Sequence, residues 1–145
     1  MTRYYEDYEA GDRFPMGERL ITEADHAQFC ELVGYRVPLF VDEAYARTTP
    51  FGGRICPSAL VMSFSTAMTE GLFHGSVIAM LATDNGRFSA PLRPGDTMRT
   101  EVEVVAKRTS SKPGRGIVVF RDVVSNQRGE IVFQIDKTLL IKQRT

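Results

Sequence analysis

The sequence predicts an α+β domain in which a long antiparallel β-sheet wraps around a central buried helix. Three observations predict it. Helix and loop patterns fill the first half of the chain, and strand patterns fill the last third. The stretch Ser58 to Leu72 is apolar or small on nearly every side, and a helix without a polar face is buried on most sides. The strands that follow are joined by short turns and not by helices, which makes them antiparallel and excludes an α/β arrangement.

The elements follow in order. Thr22 to Val33 reads as a helix, with Thr22 as N-cap and Asp25 three residues on as its capping-box partner. Ala27, Cys30 and Val33 share one face, with Phe29 and Leu32 beside it. Gly34 is placed to end this helix in a left-handed conformation. Asp42 to Arg47 reads as a short helix capped by Asp42, and TTPFGGR (Thr48 to Arg54) as turn. Ser58 to Leu72 is the central helix. Val77 to Ala82 is a continuous apolar run, and Pro91 to Asp96 is a loop. Thr97 to Lys107 alternates as a strand should, and Ser110 to Gly116 is a basic loop. Ile117 to Val124 is a strand, Asn126 to Gly129 a hairpin turn, and Ile131 to Ile141 the last strand. A sheet of this kind leaves edges that often pair in a dimer.

The 145 residues suit one domain that buries roughly two-thirds of its unfolded surface. Lys and Arg balance Asp and Glu at 18 each, which argues against a nucleic-acid partner held by bulk electrostatics. The acidic start (Glu6, Asp7, Glu9) is not that of a signal or transit peptide. The longest uncharged stretch, Ile55 to Thr69, is too short to span a bilayer comfortably, so no membrane partner is expected. Cys30 and Cys56 form no CxxC pair, and with two histidines at these spacings they make no zinc site. The expected setting is a reduced, cytoplasmic one.

Several words in the chain carry a resemblance. They are TEAD (Thr22–Asp25), FCELVG (Phe29–Gly34), Pro38-Leu39, DEAYA (Asp42–Ala46), FGGRI (Phe51–Ile55), RFSAP (Arg87–Pro91), PGDT (Pro94–Thr97) and Asn126-Gln127 with Gly129. In this order they resemble the MaoC-like family of (R)-specific enoyl-CoA hydratases and dehydratases, over nearly the whole chain. The resemblance implies a single hotdog domain over residues 1–145. It also implies a CoA or carrier-protein acyl thioester as ligand, no further cofactor, and a homodimer.

The family's catalytic word is G-D-x-N-P-L-H-x-D. This chain reads Gly34-Tyr35-Arg36-Val37-Pro38-Leu39-Phe40-Val41-Asp42. The frame is kept, while the catalytic Asp falls on Tyr35, its Asn companion on Val37 and the catalytic His on Phe40. The family's His-Gly at the start of the central helix is here Pro57-Ser58. Hydration of an enoyl thioester needs a base for water, an acid for C2 and stabilisation of the enolate oxygen. A phenylalanine neither gives nor takes a proton, and a phenol, which ionises near pH ~10, is a poor base at neutrality.

The candidate catalytic residues are therefore Tyr35, as replacement acid or as space-filling aromatic, and Asp84, as a leftover carboxylate. The resemblance makes Val37, Phe40, Pro57, Ser58, Ala59 and Thr66 the candidate substrate-binding residues. The amides around Ser58 and Ala59 suit an oxyanion. Thr66 reads as acyl-pocket lining or as a hydroxyl bonded to its own helix. His26 reads as a solvated helix residue. Arg108, Lys112 and Arg115 are candidates for CoA phosphates or a solvated basic loop. Three functions remain open at this point. They are a lyase with an altered residue set, a non-catalytic acyl-thioester binder or partner subunit of an active MaoC-like hydratase, and a hotdog acyl-CoA thioesterase.

Overall fold

The computed structural model describes all residues, Met1–Thr145. Five strands form one antiparallel sheet: β1 (Arg13–Leu20), β2 (Val77–Phe88), β3 (Thr97–Thr109), β4 (Arg115–Ser125) and β5 (Ile131–Lys142). Their order is β1-β3-β4-β5-β2, so β1 and β2 are the edges. The helices are α1 (Glu23–Val33), α2 (Pro38–Val41), α3 (Glu43–Ala46), α4 (Ser58–Met68) and α5 (Glu70–Phe73). The inward side chains of β3, β4 and β5 alternate with outward ones and lie beneath α4, α5 and the N-terminal turn.

Local chemistry explains the boundaries. The Thr22 hydroxyl accepts from the Asp25 amide and Asp25 reaches back to the Thr22 amide, a complete capping box. Gly34 ends α1 at φ 73°, where a side chain would be strained. Asp42 accepts from the Tyr45 amide and starts α3.

Four expectations are corrected. The central helix stops at Met68, because the Thr69 hydroxyl donates to the Thr66 carbonyl at 2.7 Å and α5 begins afresh. The β1 strand escaped the sequence reading, since Pro15 and Gly17 interrupt its pattern. An edge strand tolerates them, and here they sit at a bulge between Pro15 and Glu18. On α1 the buried pair is His26 and Cys30, while Leu32 is 84% exposed. His26 is therefore not a solvated residue. Finally, the apolar run beginning at Val77 continues as a strand to Phe88, and all twelve of its residues are exposed. The face of α4 carrying Ala59, Met62, Ser63, Thr66 and Ala67 is exposed too. The expected wrapping thus leaves one side of the helix open.

The core falls into two clusters. One gathers Leu60, Val61, Met98, Val124, Phe133 and Ile135 among others, and the second gathers Tyr8, Phe73, Val102, Phe120, Leu139 and Ile141 among others. On β3, β4 and β5 the boundary between them is a buried polar row of Thr100, Asp122 and Lys137. Each occupies an inward position at which its strand's neighbours are apolar.

Candidate active site

The loop from Gly34 to Asp42 carries Tyr35, Val37 and Phe40 and brings Tyr35 and Phe40 together. Pro38 opens α2 at its first turn, where a missing amide costs nothing. With Gly34 and Asp42 fixed by their caps, the frame of this loop is explained by local structure alone. Between these anchors the Tyr35 and Phe40 rings meet edge to face, with centroids 5.0 Å apart. The ring contact stands where the resemblance puts an acid–base pair. Behind them His26 bonds the Phe40 carbonyl through Nε2 at 2.6 Å, while its buried Nδ1 has no partner. That bond holds the main chain of α2 against α1.

Phe40 also lines a cavity of about 400 Å³ at the N-terminal end of α4, with Leu39, Ser58, Val61, Phe88 and Leu92 among its walls. Phe88 stacks on Phe133, with centroids 4.5 Å apart. The polar side chains of this lining are Ser58, Ser89 and Cys56. Burial pushes the Cys56 thiol up to about 12, so it stays protonated and is no nucleophile at neutral pH. Pro57 is the N-cap of α4 and gives no side-chain cap. The first-turn amides there carry the positive end of the helix dipole.

A polar recess adjoins this cavity at Phe51. In it Arg54 is held by Glu43 and Glu23, each at 2.8 Å. The Arg54 guanidinium keeps the Glu43 carboxyl below its ordinary range. The Arg93 guanidinium donates to the carbonyls of Phe51 and Arg54, and no carboxylate pairs with it.

The other predicted site residues are dispersed. Tyr35 lines a small recess with His26, Cys30 and Arg36 that shares Phe40 with the cavity. Val37 is exposed, Pro57 is buried, and Ala59 lies on the open face of α4. Asp84 is on the exposed edge strand, opposite Asp136 in register and outside the cavity lining. Thr66 lies in neither the Phe40 cavity nor a bond to its own helix. Its hydroxyl accepts from Lys137 in a second cavity further along α4. The basic loop that carries Lys112 joins β3 to β4 at the end of the sheet opposite Phe88 and Val132. Sequence reasoning missed Cys56, Phe88, Arg93 and Lys137. Only Lys137 had a readable signal, its place in the alternating series Phe133, Ile135, Leu139, Ile141.

Sheet order and an open-sided central helix with an apolar cavity at its N-terminus define a hotdog domain. More narrowly, the chain belongs to the MaoC-like domain family, whose model, described as "MaoC like domain", matches residues 10–124. The (R)-specific enoyl-CoA hydratase of Rhodospirillum rubrum is 30% identical over 141 residues, covering 97% of this chain and 93% of that one. The β-methylmalyl-CoA dehydratase of Chloroflexus aurantiacus is 28% identical over 97% of this chain, which spans 40% of that protein's length. A solved structure described as the monoamine oxidase regulatory protein of Archaeoglobus superposes with a TM-score of 0.91 at 31% identity, covering 99% of this chain and 97% of that one. A Mycobacterium tuberculosis protein described as a double hotdog shares the fold, with a TM-score of 0.87 at 22% identity over 99% of this chain and 45% of its own.

Proposed function

We propose that the protein binds an acyl thioester in the cavity at the N-terminus of α4 and does not hydrate it with its own side chains. One observation carries this reading: the cavity keeps its apolar walls while its lining holds no side chain able to exchange a proton near neutral pH. The acyl chain lies among Val61, Phe88 and Leu92. The thioester carbonyl faces the first-turn amides of α4. Arg93, without a carboxylate partner, suits a phosphate of CoA or of a carrier arm. A thioesterase needs a carboxylate at this helix end. Glu70 is on α5 beyond the far end of α4, and Asp84 is on the outer strand.

The test is calorimetric titration of the whole chain with butyryl-CoA. Saturable binding that is lost in Ser58→Trp, which fills the cavity from an exposed position, supports the reading. Heat no larger than for CoA alone, or binding unaffected by Ser58→Trp, overturns it. A second observation bears on assembly. The apolar residues Val77, Ile78, Met80, Leu81 and Phe88 stand exposed on an edge strand beside the open face of α4. That edge suits pairing with a second copy, and an active MaoC-like subunit is the other occupant to test.

A further inference from the structure

The second cavity lies at the other end of α4, between Thr66, Thr69 and Phe73 on one side and Lys137 and Leu139 on the other, and measures about 460 Å³. At its base is a charge that the fold has taken out of water. The Lys137 side chain is 6% exposed and that of Asp122 not at all. Lys137 Nζ sits 2.5 Å from Asp122 Oδ2 and donates to Thr66 Oγ1 at 2.8 Å. An ammonium has three protons, and no protein acceptor takes the third. Thr66 accepts from Lys137, and its own hydroxyl proton has no acceptor either. Two free donors therefore stand side by side at the base of a cavity walled by Phe73, Val77, Met80 and Leu139. The Lys137 ammonium is buried while Thr66 faces the open cavity, so a ligand oxygen that enters meets both donors at once.

We propose that this cavity binds a carboxylate, with one oxygen on Lys137 and the other on Thr66 and the aliphatic body against Val77, Met80 and Leu139. Two donors match the two oxygens of a carboxylate. A phosphate dianion is a poorer match, because it brings more charge and more oxygens than the two donors take, and the Glu70 carboxylate stands at the rim, engaged by His74. Burial also holds the Asp122 carboxyl above its ordinary range, with Lys137 opposing the shift. The carboxylate is either a free short-chain acid or the far end of a dicarboxylic acyl group. For a free acid the inference does not depend on thioester binding in the other cavity; the acyl-group arm rests on binding of a CoA thioester.

The experiment titrates the whole chain with hexanoate, inorganic phosphate, glutaryl-CoA and butyryl-CoA at fixed ionic strength. Thr66→Val keeps the side-chain shape and removes one donor. The paired replacement Asp122→Leu with Lys137→Met removes both charges together. A charge-assisted hydrogen bond predicts a roughly tenfold or greater loss of carboxylate affinity in Thr66→Val, and loss of binding in the paired variant. Hexanoate weakened by Thr66→Val assigns a free acid. Glutaryl-CoA weakened while butyryl-CoA is not assigns the end of an acyl group. Failure of every carboxylate to respond to Thr66→Val, or phosphate binding tighter than hexanoate, overturns the inference. Butyryl-CoA binding reports separately on the cavity at Phe40.

Discussion

Asp122 and Lys137 are the residues on which the core turns. Removing one of them leaves the other charged and buried. Asp122→Ala alone is expected to cost about 3–5 kcal/mol of stability, whereas Asp122→Leu with Lys137→Met is expected to be near neutral. Urea unfolding of both variants checks this. Asp136 behaves in the opposite sense to Asp122. The Arg121 guanidinium at 2.8 Å, aided by Asn85, holds the Asp136 carboxyl below its ordinary range. Its contribution is present above the unfolded carboxyl's ordinary value of ~3.9 and is lost as pH falls through the lower folded value. The expected outcome is a urea midpoint that drops below about pH 4, with a shallower drop in Asp136→Asn. Asp122, raised by burial, contributes stability at low pH that is lost as pH rises through its folded value. None of this polar pattern was legible as such. The alternation of β5 was read through its apolar members, and a lysine or aspartate in a strand is ordinarily assigned to the solvent face. The substitutions at Tyr35, Val37 and Phe40 were legible, because the frame around them is kept. The contact between the Tyr35 and Phe40 rings was not.

At the scale of elements, legibility followed local chemistry. Helix α1 announced both ends through Thr22, Asp25 and Gly34, and α3 announced its start through Asp42. Thr22→Ala is expected to cost about 1 kcal/mol, measured as a lowered thermal midpoint with the fold retained. Where an ending depends on one hydroxyl, as Thr69 ends α4, the sequence offers no distinct signal. In β2 the apolar run ends at Ala82 and Thr83 to Arg87 is polar, so Asp84 and Asn85 read as strand residues whose side was not legible. Asn85, at φ 56° in the bulge where the register shifts between Asp84 and Arg87, donates to Asp136 and keeps the strand bonded across the sheet. Asn85→Ala is expected to cost about 1–3 kcal/mol through backbone strain and the lost bond. Asn85→Gly, which relieves the strain, is expected to cost less by denaturant unfolding.

The whole molecule shows why a correct fold prediction left the site half read. An apolar helix and an apolar strand imply burial, and a single chain does not say which molecule provides it. Here β2 and one face of α4 are open in the monomer. The proposed occupant of the β2 edge is a second copy of the chain, seated beside the cavity that Thr66, Val77 and Met80 line. Leu81→Lys, on the exposed edge, is expected to convert a dimer to a monomer in analytical ultracentrifugation while leaving the circular dichroism unchanged.

The central claim is that a MaoC-like pocket survives in this chain without its proton chemistry, and hydration of trans-2-butenoyl-CoA by the purified whole chain tests it most directly. The Rhodospirillum rubrum hydratase and the variant Tyr35→Asp, Val37→Asn, Phe40→His, Pro57→His serve as comparisons. Loss of a positioned acid and base predicts a rate at least ~100-fold below that hydratase, with the four-residue variant faster than the natural chain. Hydration by the natural chain within about tenfold of that hydratase would contradict the claim, because less than one acid–base contribution would then be missing.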